Sequence, residues 1–179
     1  MNSLVGVTSA NFGAARQQSA NAVQVRNVQY IPAVQQGILE IRCETFSRSS
    51  DVYKTIIRLQ NVEYIDNSTF NSIKSGESED SSKYNVFEFT GSDGSPYHVR
   101  YNRGSSVDVQ VGCGCKDFRW RFAYYNSADG SFTGTPPEPY VSQTNRPPVN
   151  PSKTPGVCKH LIKLKKELER ESFFKELLN

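Results

Sequence analysis

Four residues of this chain have types and spacing that can bind a metal ion. Cys113 and Cys115 lie in "VGCGCKDFRW", separated only by Gly114. After 42 intervening residues come Cys158 and His160, in "GVCKHL". Three thiolates and an imidazole form a Cys₃His set, a four-coordinate structural zinc environment, and soft sulfur donors favour zinc over magnesium or calcium. The competing chemistries fit less well. A Cys113–Cys115 disulfide would close a strained ring. A redox dithiol usually spaces its thiols by two residues and has a helix directly after them. A nucleophilic Cys/His pair would draw on the chain's two histidines, His98 and His160. Four protein ligands leave no open position for catalytic water, so an enzyme is not expected.

For these donors to meet, their elements must place them. Val107, Val109, Val111, Cys113 and Cys115 alternate with Asp108, Gln110, Gly112 and Gly114. A two-residue period puts both thiols on one strand face, and the glycines would let the backbone curl around one ion. Next, "KDFRWRFAYYN" reads as a returning strand. Phe118, Trp120 and Phe122 share one side, Arg119 and Arg121 the other, with a turn near Gly114–Asp117 closing a hairpin. Asp117 reads as a turn former or a hydrogen-bonding neighbour of the metal site. Leu161, Leu164 and Leu168 recur at helical spacing, so a helix is expected over about residues 158–171. On a helix, positions i and i+2 diverge by about 200°. Cys158 must therefore stand just before the helix and His160 in its first turn, and the Pro155-Gly156 breaker allows this.

Between these parts, residues 126–155 hold seven of the nine prolines and read as an irregular, semi-rigid strap. Upstream, residues 1–35 carry no acid and only Arg16 and Arg26, and read as an extended arm. Residues 36–105 read as an antiparallel β region. It includes "ILEIRCETFS", with Cys43 as a core residue beside Leu39 and Ile41. It also includes "DVYKTIIRLQNVEY", with Tyr53, Thr55, Ile57 and Leu59 on one face. "DNSTFNSIKSGESEDSSK" reads as a loop. "GSDGS" joins a hairpin that has Phe87 and Phe89 on one strand and Tyr97, Val99 and Tyr101 on the other; His98 is expected to be exposed. The expected fold class is α+β: an antiparallel sheet domain with a zinc-clamped hairpin, a C-terminal helix and a further turn in "SFFKELLN".

The 179 residues suffice for one core, and no apolar run approaches the roughly 18 needed to span a bilayer. The N-terminal stretch does not read as a signal peptide, so the four cysteines suggest a reducing compartment. No phosphate-cradling glycine motif or paired-carboxylate motif stands out, and no small-molecule substrate is expected. Net charge is +3, but residues 103–166 carry ten bases against four acids. Arg119, Arg121, Arg146, Lys163, Lys165 and Lys166 are therefore candidate contacts to nucleic-acid phosphates or an acidic partner, with Tyr124 and Tyr125 as stacking platforms.

The pair Cys113-x-Cys115, a variable insert, and Cys158-x-His160 at the start of a leucine-bearing helix resemble the SWIM-type zinc finger. The resemblance covers about residues 106–170. It implies a β-hairpin followed by a helix, zinc held by these four residues, and DNA binding or protein–protein contact. The run "RFAYYN…PPEPYV…TNRPPVNP…PGVCKHLIKLKK" also resembles proteins of tailed bacteriophages, some of them virion structural components. That implies a small subunit held among others, with arm and strap against its neighbours and a location in the virion. Without a phage origin, the expected location is cytoplasmic.

Overall fold

The computed structural model describes residues 18–47, 51–103, 108–141, 148–170 and 174. Residues 1–17 of the expected arm, Val107, Arg146 and most of "SFFKELLN" lie outside them.

The fold is α+β, with two antiparallel sheets. The first is built from β1 (Gln24–Ala33), β2 (Ile38–Phe46), β3 (Val52–Leu59) and β7 (Val109–Cys113), in the order β1-β2-β3-β7. Its inner face carries the period-2 residues expected for it: Leu39, Ile41, Cys43, Thr55, Ile57, Leu59 and Val111 are all buried. Its outer face is charged, and there Arg42 and Arg58 both bond the Glu40 carboxylate. Arg26 pairs with Glu44 at 2.9 Å. Two expectations change at this sheet. The extended arm stops before residue 35, because Gln24–Ala33 forms a full edge strand on β2. The boundary at residue 105 separates no units in space, because β7 pairs with β3 from Thr55↔Cys113 to Leu59↔Val109.

The second sheet has the order β4-β6-β5, from β4 (Glu63–Ile65), β5 (Tyr84–Thr90) and β6 (Pro96–Asn102). The hairpin through "GSDGS" forms as expected, paired from Tyr84↔Asn102 to Thr90↔Pro96. The preceding polar stretch is not a loop: Asn67–Ser75 is helix α1. Asp66 caps it by accepting the Thr69 N–H, Gly76 ends it at φ 82°, and Phe70 and Ile73 are its buried residues. His98, expected to be exposed, is covered by this helix. Its ring lies 4.4 Å from that of Phe70, its Nε2 is 2.8 Å from Glu88, and its side chain is 10% exposed.

The largest departure follows Cys113. The expected returning strand is two short helices, α2 (Lys116–Arg121) and α3 (Ala123–Ala128). Burial shows which period won. Phe118 and Phe122 are 1% and 0% exposed, whereas Trp120 is 41% exposed. With Cys115 and Asn126, also buried, they form a stripe at spacings of three and four, and the Asp117–Arg121 pair at 2.9 Å supports the outer side. After α3, Ser131 and Thr133 bond the backbone of Val111 along the free edge of β7. The irregular strap expected from residue 126 starts later, because α3 runs to Ala128; from residue 134 to residue 158 the described chain has no helix or strand.

Helix α4 (Lys159–Leu168) matches its expectation. It lies across the first sheet, with Leu161, Leu164 and Leu168 buried in a core shared with Leu39, Ile41, Ile57 and Phe118. Tyr30 of β1 stacks on Phe174 at 5.8 Å. Among the described residues no helix is long and apolar enough to cross a membrane.

Candidate metal centre

Each donor sits at the end of an element. Cys113 is the last residue of β7, paired with Thr55, whose Oγ1 lies 3.7 Å from the Cys113 Sγ. Thr55 in turn shares a 2.8 Å hydrogen bond with Thr45. Cys115 stands beyond the strand as the N-cap of α2, and its Sγ accepts the Phe118 N–H at 3.3 Å. Cys158 is the N-cap of α4; its backbone is extended and its side chain makes no capping bond. His160 follows inside the first turn, as the spacing argument required. Its Nδ1 lies 3.9 Å from the Sγ atoms of both Cys113 and Cys158.

The four ligand atoms lie within 4.8 Å of one another. Around one tetrahedral ion with metal–sulfur bonds of about 2.3 Å, sulfurs stand about 3.8 Å apart. The cluster therefore needs only small adjustments to hold an ion. Cys115, Cys158 and His160 are buried and Cys113 is half-buried. Tyr53 covers the imidazole, with ring centroids 4.9 Å apart. The His160 Nε2 is buried without a hydrogen-bond partner among the described residues. With Nδ1 turned to the sulfurs, Nε2 is the nitrogen left to carry the imidazole proton.

The thiols compete for negative charge. Cys115 is shifted well down, because Cys113 and Cys158 hydrogen-bond to its sulfur. Its Phe118 N–H contact adds to this. The bond to Cys115 holds Cys113 protonated, pushed up to about 12, and burial raises Cys158. A bound cation would favour the ionised form of all three. The positive ends of α2 and α4 favour thiolates at Cys115 and Cys158. The donor set fits a soft or borderline divalent metal. Cys43 is not part of it. It lies in the core as expected, with its thiol pushed up to about 12 by burial. His98 also lies outside the cluster.

The glycines serve differently from the hinge role expected of them. A Cβ on Gly112 would stand 3.0 Å from the Thr133 carbonyl oxygen. Gly112 therefore lets the start of the strap run close alongside β7. Gly114 would meet nothing closer than the Lys54 carbonyl at 3.9 Å.

The candidate phosphate contacts are largely engaged elsewhere. Arg121 pairs with Asp117, Lys163 with Glu167 and Lys165 with Glu169. Arg119 lies over the Trp120 ring at 4.8 Å, Lys166 is exposed, and Arg146 is outside the described residues. Tyr124 and Tyr125 meet edge to face at 5.3 Å.

Two residues near the site carried no signal in the sequence reading. Asn126 and Asn150 are buried, and their side-chain amides bond the backbone of the strap. A polar residue continuing the 118–122 helical stripe was the available clue.

No family model matches the chain, nor does any curated protein or solved structure.

Proposed function

We propose that this protein is a non-enzymatic structural or interaction protein held together by a zinc clamp of the SWIM type, acting as a component of a bacteriophage virion such as its tail, baseplate or neck. The observation that carries the reading is the convergence of Cys113, Cys115, Cys158 and His160 from a strand end and two helix starts, with ligand atoms within 4.8 Å. Zinc suits three sulfurs and one imidazole better than the oxygen-seeking cations. A full protein shell leaves no vacant position at which the ion would activate water, which supports a structural role. The clamp ties β7, α2 and α4 together in a chain of modest apolar content, with mean hydropathy −0.57. The virion assignment rests on the resemblance of the stretch from "RFAYYN" to "CKHLIKLKK". It is supported by an exposed surface of Trp120, Tyr140 and Val141 beside the strap prolines.

Metal analysis of the purified full chain tests the clamp. About one zinc per chain is expected, and Cys113→Ser and Cys158→Ser should both lose it and melt at lower temperature. A metal content near zero in a folded wild-type chain would remove the central claim. The SWIM resemblance also admits DNA binding. With Arg121, Lys163 and Lys165 already ion-paired, little binding to DNA is expected even in low salt, where phosphate contacts are strongest.

A further inference from the structure

We propose that Asn126 and Asn150 are positioning residues of the metal centre, joining its two halves through the protein rather than through the ion. The inference rests on the metal-site reading above.

The two ligand pairs are separated by 42 residues of chain. Cys113 and Cys115 are fixed by β7 and α2. Cys158 arrives at the end of the strap, where sheet pairing does not guide it. Asn126 takes that role. It sits on α3, 0% exposed. Its Nδ2 donates to the Gly156 carbonyl at 3.0 Å, and its Oδ1 accepts the Gly156 N–H at 2.7 Å. Both backbone groups of one residue, two positions before Cys158, are thus held by a single amide, much as a neighbouring strand would hold them. Asn150 makes a second tie. Its Nδ2 donates to the Arg121 carbonyl at 2.9 Å and to the Thr154 carbonyl at 2.8 Å. Arg121 ends α2, the helix that Cys115 begins. Both asparagines therefore link the Cys115 helices to the segment that delivers Cys158 and His160. Val157, between Gly156 and Cys158, is fully buried and completes the seat.

The physical consequence concerns affinity. Four donors bind an ion tightly only if little ordering remains to be done when it arrives. The amide ties order the return of the strap whether or not the ion is bound. Losing one such tie leaves every ligand present but less well aimed. Groups that support metal ligands typically contribute about 10–100-fold in affinity.

The test is a titration of the reduced full chain with Co²⁺, competed against a chelator and read by thiolate-to-cobalt charge-transfer absorption. Asn126→Ala is expected to bind about 10–100-fold more weakly than wild type while keeping a one-to-one ratio and a thiolate spectrum. Val99→Ala, in the core of the second sheet, serves as the control for general destabilisation. It should keep wild-type affinity although it melts earlier. If Asn126→Ala does not fold, Asn150→Ala carries the test on the same criteria. An affinity loss below about fivefold, or an equal loss in Val99→Ala, would overturn the positioning role. A wild-type chain that binds no Co²⁺ would instead overturn the metal-site reading on which it rests.

Discussion

Gly112 and Gly114 flank Cys113 but have different reasons to be glycine. An added methyl at Gly112 presses on the Thr133 carbonyl at 3.0 Å, a backbone atom that moves only with its segment. Gly112→Ala is expected to destabilise by about 1–3 kcal/mol. Gly114→Ala meets the Lys54 backbone only at ordinary contact distance, 3.9 Å, and should stay within about 0.5 kcal/mol of wild type. Urea unfolding of the two variants checks the contrast, and equal losses would refute it. At this scale the meeting of Cys113, Cys115, Cys158 and His160 was legible: residue types, the short spacings and the breaker before Cys158 were enough to pair the two halves. The glycine roles were not legible, because a close approach by Thr133 depends on where the insertion goes after α3. Asn126 and Asn150 were hidden for the same reason, since their partners are backbone groups on either side of the strap.

Among the elements, β1 fell within the expected arm, whereas β2, β3 and β7 were readable because apolar residues recur at every second position of their inner faces. The segment after Cys115 was not. Phe118, Trp120 and Phe122 satisfy a strand period, while Phe118, Phe122 and Asn126 satisfy a helical one. The helix start is marked by a thiol rather than by the usual hydroxyl, amide or carboxylate cap. Helix α1 was missed although Asp66 and Gly76 mark its ends, because its polar composition masked the Phe70–Ile73 pair. The outer face of β2 and β3 yields a pH prediction. Burial works against the Glu40 carboxylate, but its bonds to Arg58 and Arg42 outweigh burial and hold it below its usual 4.5. A carboxylate lowered in the folded state adds stability above the unfolded value and loses it as pH falls through the folded one. The metal-free chain should therefore lose stability as the pH drops below about 4.5. Glu40→Gln should be less stable at neutral pH and flatter over the acid range. Chemical unfolding between pH 3 and 7 reads both, and an unchanged pH slope in the variant would count against the argument.

For the whole molecule, the Cys/His cluster lies where one end of the first sheet meets the helix laid across that sheet. Leu161, fully buried on that helix, should cost about 2–5 kcal/mol when cut to alanine, measured by denaturant unfolding of the metal-loaded chain. Acid should release the ion before the sheets unfold, because protons compete directly for the thiolates and the imidazole. The strap has a different standing. Its ends are tied to Val111 at Ser131 and Thr133 and to Asn126 at Gly156, so the segment between is a closed loop, and doubling the length of such a loop costs only about 0.6 kcal/mol. Replacing residues 134–149 with a shorter Gly/Ser linker should leave one Co²⁺ per chain, and loss of the ion would show that the strap itself shapes the site. The strap thus resembles an exchangeable cassette on a fixed mount. The segment can change length and sequence, and with them the surface it offers a neighbour, while Cys113, Cys115, Asn126, Asn150, Cys158 and His160 stay where they are.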